Sequence, residues 1–549
     1  MKIRFLLFLL LPATFLTAQL DTLPKAVVPP PAPKMPPFKY EIPEALPFGE
    51  TIKAEDLKQL LYALAADSMQ GRETGEPGQR KAADFIAAQF KALGLPTVGD
   101  RNTYFQQIYL QNNSWKEIGL KVGTQEFKNR TDFYVFPNYI TDAPLTELKE
   151  VVFVGYGIED EKYNDYAKAD VAGKAVVFYD GEPLDNQGHS LLTGTDFRSN
   201  WSLDWRRKVQ LAKQKGATMA FIVDSKFDEH LKSNKKLIST YGWSPVSTRT
   251  DTKQASTYVN SLFISPAVAT AMLGAKAGKA EDALADLRSG EGFKPVKIKV
   301  KMEVQLDKEV KRLEGSNVIA FIEGSDSVLR KEFVLVTAHY DHLGMPDSSV
   351  IYYGADDNAS GTSAVIEIAR AFVEAKKKGV GPKRSVVCML VSGEEKGLLG
   401  SQFYTDFPVF PLEKTIVDIN IDMIGRVDDA HAKNPDYIYV IGSDRMSNEL
   451  HHVNERANSK YTKLELDYKY NAKNDPNHFY ERSDHYNFAQ KGIPSIFYFN
   501  GTHADYHKPT DTADKINFEV MTKRTKLAFY TAWDAANRPY ILPIDVKQE

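Results

Sequence analysis

The sequence predicts an α/β protein in which a mostly parallel mixed sheet lies between layers of helices, with a β-rich module inserted into it. Three observations lead to this prediction. Apolar runs of strand length alternate with helical patterns after residue 315, short strand patterns dominate residues 120–300, and leucines at helical spacing precede both. Near-continuous apolar strands separated by helices are typical of a parallel sheet that is buried on both faces.

The composition of the 549-residue chain is that of an ordinary globular protein, with 43% hydrophobic and 26% charged residues. Its formal net charge is −3 and it has no long basic run, so nucleic acid is not expected as a partner. The chain has one cysteine, Cys388, which excludes an internal disulfide. Because Cys388 lies in an apolar run, we expect it to be a buried strand residue.

The first 18 residues predict a secretory signal peptide. Lys2 and Arg4 give a positively charged start, residues 5–11 are apolar, and small residues up to Ala18 provide a cleavage site. The apolar stretch is shorter than the roughly 20 residues of a membrane-spanning helix, so cleavage is favoured over a membrane anchor. We therefore expect an exported protein, periplasmic or secreted, with no membrane span after cleavage.

Four segments are expected after the signal peptide. Residues 19–50 are rich in proline and predict an extended linker. Residues 51–119 are expected to be the N-terminal helical part of the main domain, and their glycine-rich turn at 71–78 is expected to pack near the site. Residues 120–300 would form the inserted module, and residues 301–549 the rest of the main domain.

Six apolar runs and two long helical patterns define the last segment. The helical patterns cover residues 361–378 and 521–536. The runs predicted to be strands are 318–322, 333–338, 386–391, 416–421, 437–441 and 495–499. Ligands of such sheets gather beyond the carboxyl ends of the strands, so the residues that follow these runs are the first candidates for a site.

Imidazole and carboxylate groups stand at these strand ends. The candidates at or just past a predicted strand are His339, Glu394, Glu395 and Asp422. Asp341 lies two residues beyond His339 and is expected to hold the second imidazole N–H through its carboxylate. Of the adjacent glutamates, one is expected to bind metal and the other to move protons.

Two further candidates lie in turns. Asp356 and Asp357 precede the long helix, and one of them is expected to reach both metals. A late loop carries His507, which the residues alone do not separate from His478, His485 and His503. Nitrogen and oxygen donors without cysteine are typical of a catalytic zinc site, and their number suits two metals that share a carboxylate and a water.

This ordered set of residues resembles the co-catalytic di-zinc aminopeptidase family, which includes bacterial leucyl aminopeptidases and, more distantly, glutamate carboxypeptidase II. The likeness covers residues 333–512, and residues 69–95 resemble the family's N-terminal part. The motifs are His-x-Asp, Gly-Ala-Asp-Asp-Asn-Ala-Ser-Gly, Ser-Gly-Glu-Glu, Asn-x-Asp-Met and a late His-x-Pro-x-Asp. The resemblance implies a zinc-peptidase sheet of the phosphorylase/hydrolase-like type.

The resemblance also implies a role for each matching residue. The implied ligands are His339 and Asp422 for one Zn²⁺, Glu395 and His507 for a second Zn²⁺, and Asp357 for both. Asp356 would be a neighbour of the site, and the peptide bond after Asp357 would be cis. Glu394 would act as general base and acid, and Tyr506 would help to hold the oxyanion.

The inserted module resembles a protease-associated domain. The matching stretches are residues 154–157, 163–166 and 170–174. Such domains usually act as lids or as substrate guides, and the sequence of this module offers no chemistry of its own.

The resemblance implies an aminopeptidase that uses a metal-activated water to remove N-terminal residues from a peptide substrate. A carboxypeptidase or dipeptidase on the same site stays open, because Arg426 and Arg482 could hold a substrate carboxylate, although a structural role is preferred for both. Glutaminyl cyclisation with one zinc is a further alternative, and a receptor without the site is disfavoured by the intact motifs. The roles of Asp484 and His485, the preferred terminal residue and the oligomeric state stay open.

Overall fold

The computed structural model describes residues 40–235, 238, 243–246, 257–280, 282, 294–347 and 349–546. The described residues from Ile42 onward belong to one compact unit. The predicted signal peptide and most of the predicted linker lie outside the described residues. Within the described ranges, no helix is long and apolar enough to cross a membrane.

Fifteen of the strands in the described part of the chain form one large sheet, and two more form a separate hairpin. The strands are β1 (Phe105–Val122), β2 (Gln125–Phe127), β3 (Phe133–Tyr134), β4 (Ala143–Phe153), β5 (Glu159–Asp160), β6 (Tyr163–Asn164), β7 (Ala175–Tyr179), β8 (Met219–Val223), β9 (Trp243–Pro245), β10 (Asn260–Ile264), β11 (Val296–Ile322), β12 (Phe333–His339), β13 (Ser385–Val391), β14 (Thr415–Ile421), β15 (Tyr437–Ile441), β16 (Glu465–Asp467) and β17 (Ser495–Phe499). The hairpin consists of β5 and β6.

Helices connect and cover these strands. The α-helices are α1 (Leu46–Gly49), α2 (Ala54–Leu64), α3 (Pro77–Ala92), α4 (Asn200–Leu203), α5 (Arg206–Gln214), α6 (Phe227–Ser233), α7 (Pro266–Leu273), α8 (Gly361–Lys377), α9 (Leu399–Asp406), α10 (Asn448–Ala457), α11 (His485–Gln490) and α12 (Phe518–Asn537). The first of them, α1, lies in the last residues of the predicted linker.

The centre of the main domain is parallel. Strand β12 pairs in parallel with β13 and with β14, and β14 pairs in parallel with β17. The antiparallel neighbours are β11, which pairs with β13, and β15, which pairs with β17. The mostly parallel mixed sheet predicted from the sequence is therefore confirmed.

Successive residues of β12 show why helices cover both faces of this sheet. Val334 and Val336 are buried in a cluster that includes residues of α2, α3, α8 and α12. Leu335 points to the other face, where it joins Tyr404 of α9 and Phe488 of α11 in a second cluster. A strand with apolar residues at every position needs a helical layer on each side, and the structure provides both.

Two long strands join the main domain to the inserted segment. Strand β1 has 18 residues, strand β11 has 27 residues, and they pair antiparallel from Phe105 opposite Val318 to Val122 opposite Met302. The predicted segment boundaries at residues 119/120 and 300/301 therefore fall inside strands. Because these strands continue from one part into the other, the sheet itself is continuous across the boundary.

The inserted segment is more helical than the sequence analysis expected. Strands β4, β7, β8 and β10 pair in parallel in that order. Val177 and Val268 of α7 belong to the cluster on one face, and Val176 and Val209 of α5 belong to the cluster on the other face. The apolar strands of this segment are thus covered by helices on both sides, as in the main domain.

Most elements predicted for the main domain have the expected bounds. Strands β15 and β17 coincide with their predicted residues, and α8 ends one residue earlier than expected. The helical pattern of residues 51–95 is divided into α2 and α3 by a short turn at Asp67–Arg72. Cys388 is buried in β13, as predicted.

Candidate metal centre

The candidate ligands meet at one edge of the sheet, where parallel strands end. Strand β12 ends at His339, β13 ends at Val391 shortly before the two glutamates, and β14 ends at Ile421 directly before Asp422. The loop after β17 carries His507. Because parallel strands place their carboxyl ends at the same edge, these distant parts of the sequence come together there.

The first group of donor atoms consists of His339, Asp357 and Asp422. The Nε2 atom of His339 lies 3.2 Å from Oδ1 of Asp422 and 3.3 Å from Oδ1 of Asp357. All three side chains are buried. Donor atoms that lie about 2.0–2.2 Å from a tetrahedral zinc are roughly 3.3–3.6 Å apart, so the observed separations suit a shared cation.

A second group lies on the other side of Asp357. The Nε2 atom of His507 is 3.1 Å from Oδ2 of Asp357 and 3.4 Å from Oε2 of Glu395. His342 joins this group, with its Nδ1 atom 2.7 Å from Oε1 of Glu395 and 3.8 Å from Oδ2 of Asp357. Sequence reasoning missed His342, although its place three residues after His339 beyond the end of β12 was an available signal.

Asp357 is common to both groups, because its Oδ1 atom faces His339 and its Oδ2 atom faces His342 and His507. Burial would raise the pKa of Asp357, but His342, His339 and His507 lower this pKa well below its ordinary value. The carboxylate is therefore ionised and needs positive charge on both sides. A cation in each group can supply this charge without a proton on any imidazole.

The surroundings of His339 provide a direct test of whether a metal fits. Its Nδ1 atom lies 3.1 Å from the backbone oxygen of Asp341. A carbonyl oxygen only accepts hydrogen bonds, so Nδ1 carries the proton and Nε2 faces two carboxylates. Burial would lower the pKa of His339, but Asp422 and Glu394 raise it well above its ordinary value. This arrangement needs a proton or a cation at Nε2, and the donor set fits zinc.

The expected role of the Asp341 carboxylate is wrong. The carboxylate lies 3.8 Å from Nδ1 of His339, beyond hydrogen-bond distance, and the backbone oxygen takes its place. Its two oxygens instead accept hydrogen bonds from Thr74 Oγ1 at 2.8 Å and from the backbone N–H of Glu394 at 3.2 Å. Strand alternation predicts on which side of the chain a residue lies. It does not predict whether the carboxylate or the backbone oxygen of Asp341 lies nearer to Nδ1 of His339.

The turn before α8 fixes the position of Asp357. The peptide bond between Asp357 and Asn358 is cis, as the resemblance implied. The Asn358 side chain donates to Ile421 O and accepts from the backbone N–H of Met423, which ties the turn to the end of β14. The buried carboxylate of Asp511 accepts the backbone N–H groups of Asp356 and Asp357 at 3.0 and 3.2 Å.

Asp356, the other member of the pair, points away from both donor groups. Its Oδ1 atom accepts the backbone N–H of Gly425 at 2.6 Å, and its Oδ2 atom lies 3.2 Å from Nε2 of His503. The structure therefore shows which of the two aspartates, and which of the two histidines of one loop, belongs to the donor groups. The sequence alone did not distinguish them. Asp357 and His507 share the centre, whereas Asp356 and His503 pair beside it.

Glu394 is half-buried beside the first group. Burial raises the pKa of its carboxyl group well above the ordinary value, Glu395 and Asp422 add to this rise, and His339 opposes it. Its side chain lines a small pocket together with Asp357 and Asp422. A carboxyl group with a raised pKa beside a metal-bound water is suited to accept and return a proton.

Arg72 holds the two loops that carry the ligands. This buried guanidinium donates to Tyr340 O at 2.7 Å, next to His339, and to Gly354 O at 2.9 Å, before the turn of Asp357. It also donates to the backbone oxygens of Leu64 and Tyr353. The glycine-rich turn that contains Arg72 was expected to pack near the site, but the individual residue was not identified.

The pocket above the centre has aromatic and apolar walls and one exposed cationic residue, Arg482. Phe479, Phe497 and Phe499 line its apolar part. Arg482 donates to the hydroxyl of Tyr506 at 3.3 Å, and Tyr506 stacks on His507 with ring centroids 3.9 Å apart. Tyr506 thus lies next to the candidate ligand His507, at the wall of the pocket.

The sequence of this region matches a known family. Residues 317–532 match the model described as Peptidase family M28. This segment belongs to that peptidase family.

Aminopeptidase YwaD of Bacillus subtilis (strain 168) is 28% identical over 231 residues, which cover 41% of this chain and 45% of the relative. A probable leucine aminopeptidase of Arthroderma otae is 28% identical over 212 residues, 38% of this chain and 55% of that protein. The chain thus spans about half the length of these curated relatives.

The chain is also similar to solved structures. An aminopeptidase from Aneurinibacillus sp. strain AM-1 is 21% identical, covers 92% of this chain and 99% of that chain, and has a TM-score of 0.44. A zinc aminopeptidase from Bacillus subtilis is 18% identical, covers 90% of this chain and 99% of that chain, and has a TM-score of 0.42.

The structure also shows the surroundings of Arg426, Asp484 and His485, whose roles could not be assigned from the sequence. Arg426 donates to Asp505 at 2.9 Å and lies 3.7 Å from Asp511, so its charge is used within the protein. Burial raises the pKa of Asp484 to about 7, and the hydroxyl of Ser401 donates to it. Burial lowers the pKa of His485 to about 3.

Replacing Asp357 with asparagine should remove metal binding, whereas the same change at Asp356 should preserve it. Asp357→Asn takes away the charge that both donor groups share, so zinc affinity should fall by more than the roughly 10–100-fold that loss of an outer-sphere partner costs. Asp356→Asn changes a residue that faces Gly425 and His503 instead. Zinc content after dialysis, measured by mass spectrometry on variants with unchanged circular dichroism, provides the comparison. Full zinc content in Asp357→Asn, or equal losses in both variants, would contradict this assignment.

Proposed function

We propose that this chain is a zinc-dependent aminopeptidase that hydrolyses N-terminal residues from peptides. One observation carries the proposal. Asp357 lies between two groups of imidazole and carboxylate donors at the edge of the sheet, in a segment that belongs to peptidase family M28. The two curated relatives named above, an aminopeptidase and a probable leucine aminopeptidase, support the reaction class.

The donor groups are assigned to two Zn²⁺ ions. The proposed ligands are His339 and Asp422 for the first ion, Glu395 and His507 for the second, and Asp357 for both. His342 contacts Glu395 and would either orient this carboxylate or take part in the second site. Two bound zinc ions that share a water would lower the pKa of this water and polarise the scissile carbonyl.

Glu394 is proposed to carry the proton between the two halves of the reaction. Its backbone N–H is fixed by the carboxylate of Asp341 at 3.2 Å, and its side chain lines the pocket beside the first donor group. The carboxylate would accept a proton from the attacking water and return it to the amine that leaves. Because burial raises its pKa, Glu394 holds this proton more readily than an exposed glutamate would.

Tyr506 and Arg482 are proposed to act at the opposite wall of the pocket. The Tyr506 hydroxyl receives a hydrogen bond from Arg482 and can donate its own proton to an oxyanion that develops at the scissile carbonyl. Burial raises the pKa of Tyr506 above its ordinary value, which keeps this proton in place at neutral pH.

One carboxylate of the pocket favours an amino end over a carboxyl end. Asp357 and Asp422 are proposed zinc ligands, so Glu394 is the carboxylate in the walls that can face a substrate ammonium group. A carboxypeptidase or dipeptidase would need a cation for the substrate carboxylate, and Arg426 already contacts Asp505. Arg482 at the rim keeps this second reading as an alternative. The presence of two donor groups favours hydrolysis with two metals over glutaminyl cyclisation with one.

Export of the mature protein stays part of the proposal and rests on the sequence of residues 1–18.

The inserted segment is likewise proposed to be a protease-associated domain, because its sequence resembles such domains. A lid or substrate guide is compatible with its covalent connection, because β1 and β11 lead from this segment directly into the sheet of the main domain.

Leucine p-nitroanilide should be hydrolysed by the zinc-loaded protein, and its N-acetylated form should not. The acetyl group removes the ammonium charge that the carboxylate of Glu394 is proposed to face. Activity should disappear with 1,10-phenanthroline and return with added zinc, as followed by absorbance of the released nitroaniline. If an amino-blocked dipeptide with a free carboxyl group is cleaved while leucine p-nitroanilide is not, the enzyme is a carboxypeptidase instead.

Glu394→Gln should retain zinc and lose turnover. Loss of a general acid and base lowers kcat by about 10²–10⁴-fold. The neighbouring change Glu395→Gln serves as the matched comparison, because it alters a proposed ligand and should lower zinc content as well as activity. Zinc content and kcat are measured on the same preparations. Glu394→Gln with kcat close to that of the unmodified protein would remove Glu394 from its role.

A further inference from the structure

The inserted segment contains a second cavity, which shares no residue with the metal centre. It has a volume of about 200 Å³ and lies between β3, β10 and the region of α4 and α5. Pockets for drug-sized ligands have volumes of about 300–1,000 Å³, so this cavity suits a smaller group such as a single side chain.

Aromatic rings form one continuous wall of the cavity. Tyr134 stacks on Phe263 with ring centroids 4.9 Å apart, and Phe136 stacks on Trp205 at 5.3 Å. Trp205 also meets Phe263 edge to face at 5.1 Å. Trp201 adds a further indole to the lining. Walls of this kind attract cations through the quadrupoles of the rings. They also bind apolar groups, because contact with the rings removes these groups from water.

A carboxylate and an imidazole lie at the same cavity. Asp180 and His230 are part of its lining, and Asp224 is buried next to His230. Nδ1 of His230 lies 2.9 Å from Oδ1 of Asp224, and the hydroxyl of Tyr134 donates to the other oxygen at 2.8 Å. With its Nδ1 proton directed to Asp224, the imidazole presents Nε2 as an acceptor.

Lys208 is a buried ammonium group in the lining, and it donates to two backbone carbonyl oxygens. Because backbone oxygens bind this ammonium group, the carboxylates of Asp180 and Asp224 can attract a further positive charge at the cavity.

Hydrogen bonds fix the carboxylates of this acidic group. Oδ1 of Asp224 accepts from the backbone N–H of Lys226 and contacts His230, and its Oδ2 accepts from Tyr134. The two oxygens of Asp180 accept from the backbone N–H and the hydroxyl of Ser225 at 3.1 and 3.2 Å. Each carboxylate oxygen has two lone pairs, so these oxygens can still contact an incoming cation. The aromatic walls beside them favour an organic cation with an apolar stem over a bare metal ion.

The rim of the cavity exposes an apolar side chain, because Leu203 lines the cavity and is 73% exposed. Large apolar residues at a rim are suited to pack against the neighbours of an inserted side chain. The geometry thus favours a ligand that continues beyond the cavity, as a polypeptide does.

We propose that this cavity binds the basic side chain, lysine or arginine, of an extended polypeptide. The aliphatic stem would lie along Trp201 and Trp205, and the charged end would face Asp180 and Nε2 of His230. The flanking residues of the polypeptide would contact Leu203. This site is independent of the proposed peptidase activity and needs neither zinc nor a free amino terminus.

Calorimetric titration with two blocked amino acids tests the proposal. The probes are Nα-acetyl-lysine methylamide and its neutral analogue, Nα-acetyl-norleucine methylamide, and neither has a free amino terminus for the metal centre. The lysine probe should bind at least tenfold more tightly than the norleucine probe. Asp180→Asn should weaken lysine binding at least fivefold, and asparagine can still accept the backbone N–H of Ser225, so the fold should persist.

Two further variants keep the test decisive. His230→Gln changes a partly exposed residue and should also weaken lysine binding. Glu147→Gln removes the same charge from an exposed position of β4 and should leave binding unchanged. Equal affinity for both probes, or equal weakening in Glu147→Gln and Asp180→Asn, would overturn the proposal. Binding of zinc alone that is lost in Asp180→Asn and His230→Gln would overturn it in favour of a metal site.

Discussion

The site depends on one buried carboxylate, that of Asp357, whose two oxygens face imidazoles on opposite sides. An ionised carboxylate away from water is costly unless positive charge and hydrogen bonds surround it. His339, at the end of β12, and His507, in the loop after β17, meet at this carboxylate. Arg72 fixes the backbone beside His339 and before Asp357, and Asp511 fixes the N–H of Asp357. Ligands held in this way are already in place before a metal binds.

The same residue types serve different chemistry in the two parts of the chain. At the metal centre, Nε2 of His339 faces two carboxylate oxygens, and a cation is the partner that satisfies all three. In the inserted segment, the oxygens of Asp180 and Asp224 already accept hydrogen bonds, and aromatic rings surround the space beside them. The first environment favours a desolvated metal ion, and the second favours an organic cation with an apolar stem. The groups that surround a carboxylate therefore determine which kind of cation it binds.

The sequence predicted those features that depend on local pattern. The bounds of β15 and β17 follow from uninterrupted apolar runs, and the meeting of distant candidates follows from strand ends in a parallel sheet. Features that depend on tertiary contacts were missed or wrong. Arg72 was not identified because its partners are backbone oxygens from distant loops, and His342 looks like any loop histidine until Glu395 is placed beside it. Strand alternation placed Asp341 correctly but selected the wrong atom of that residue.

We propose that Asp357 binds two zinc ions, one in each donor group. Anomalous diffraction from zinc-loaded crystals, recorded on both sides of the zinc absorption edge, would locate these ions. Two peaks should flank this carboxylate, one also in contact with His339 and Asp422 and the other with Glu395 and His507. A single peak at full zinc loading, or peaks that lie beyond coordination distance of Asp357, would contradict this proposal.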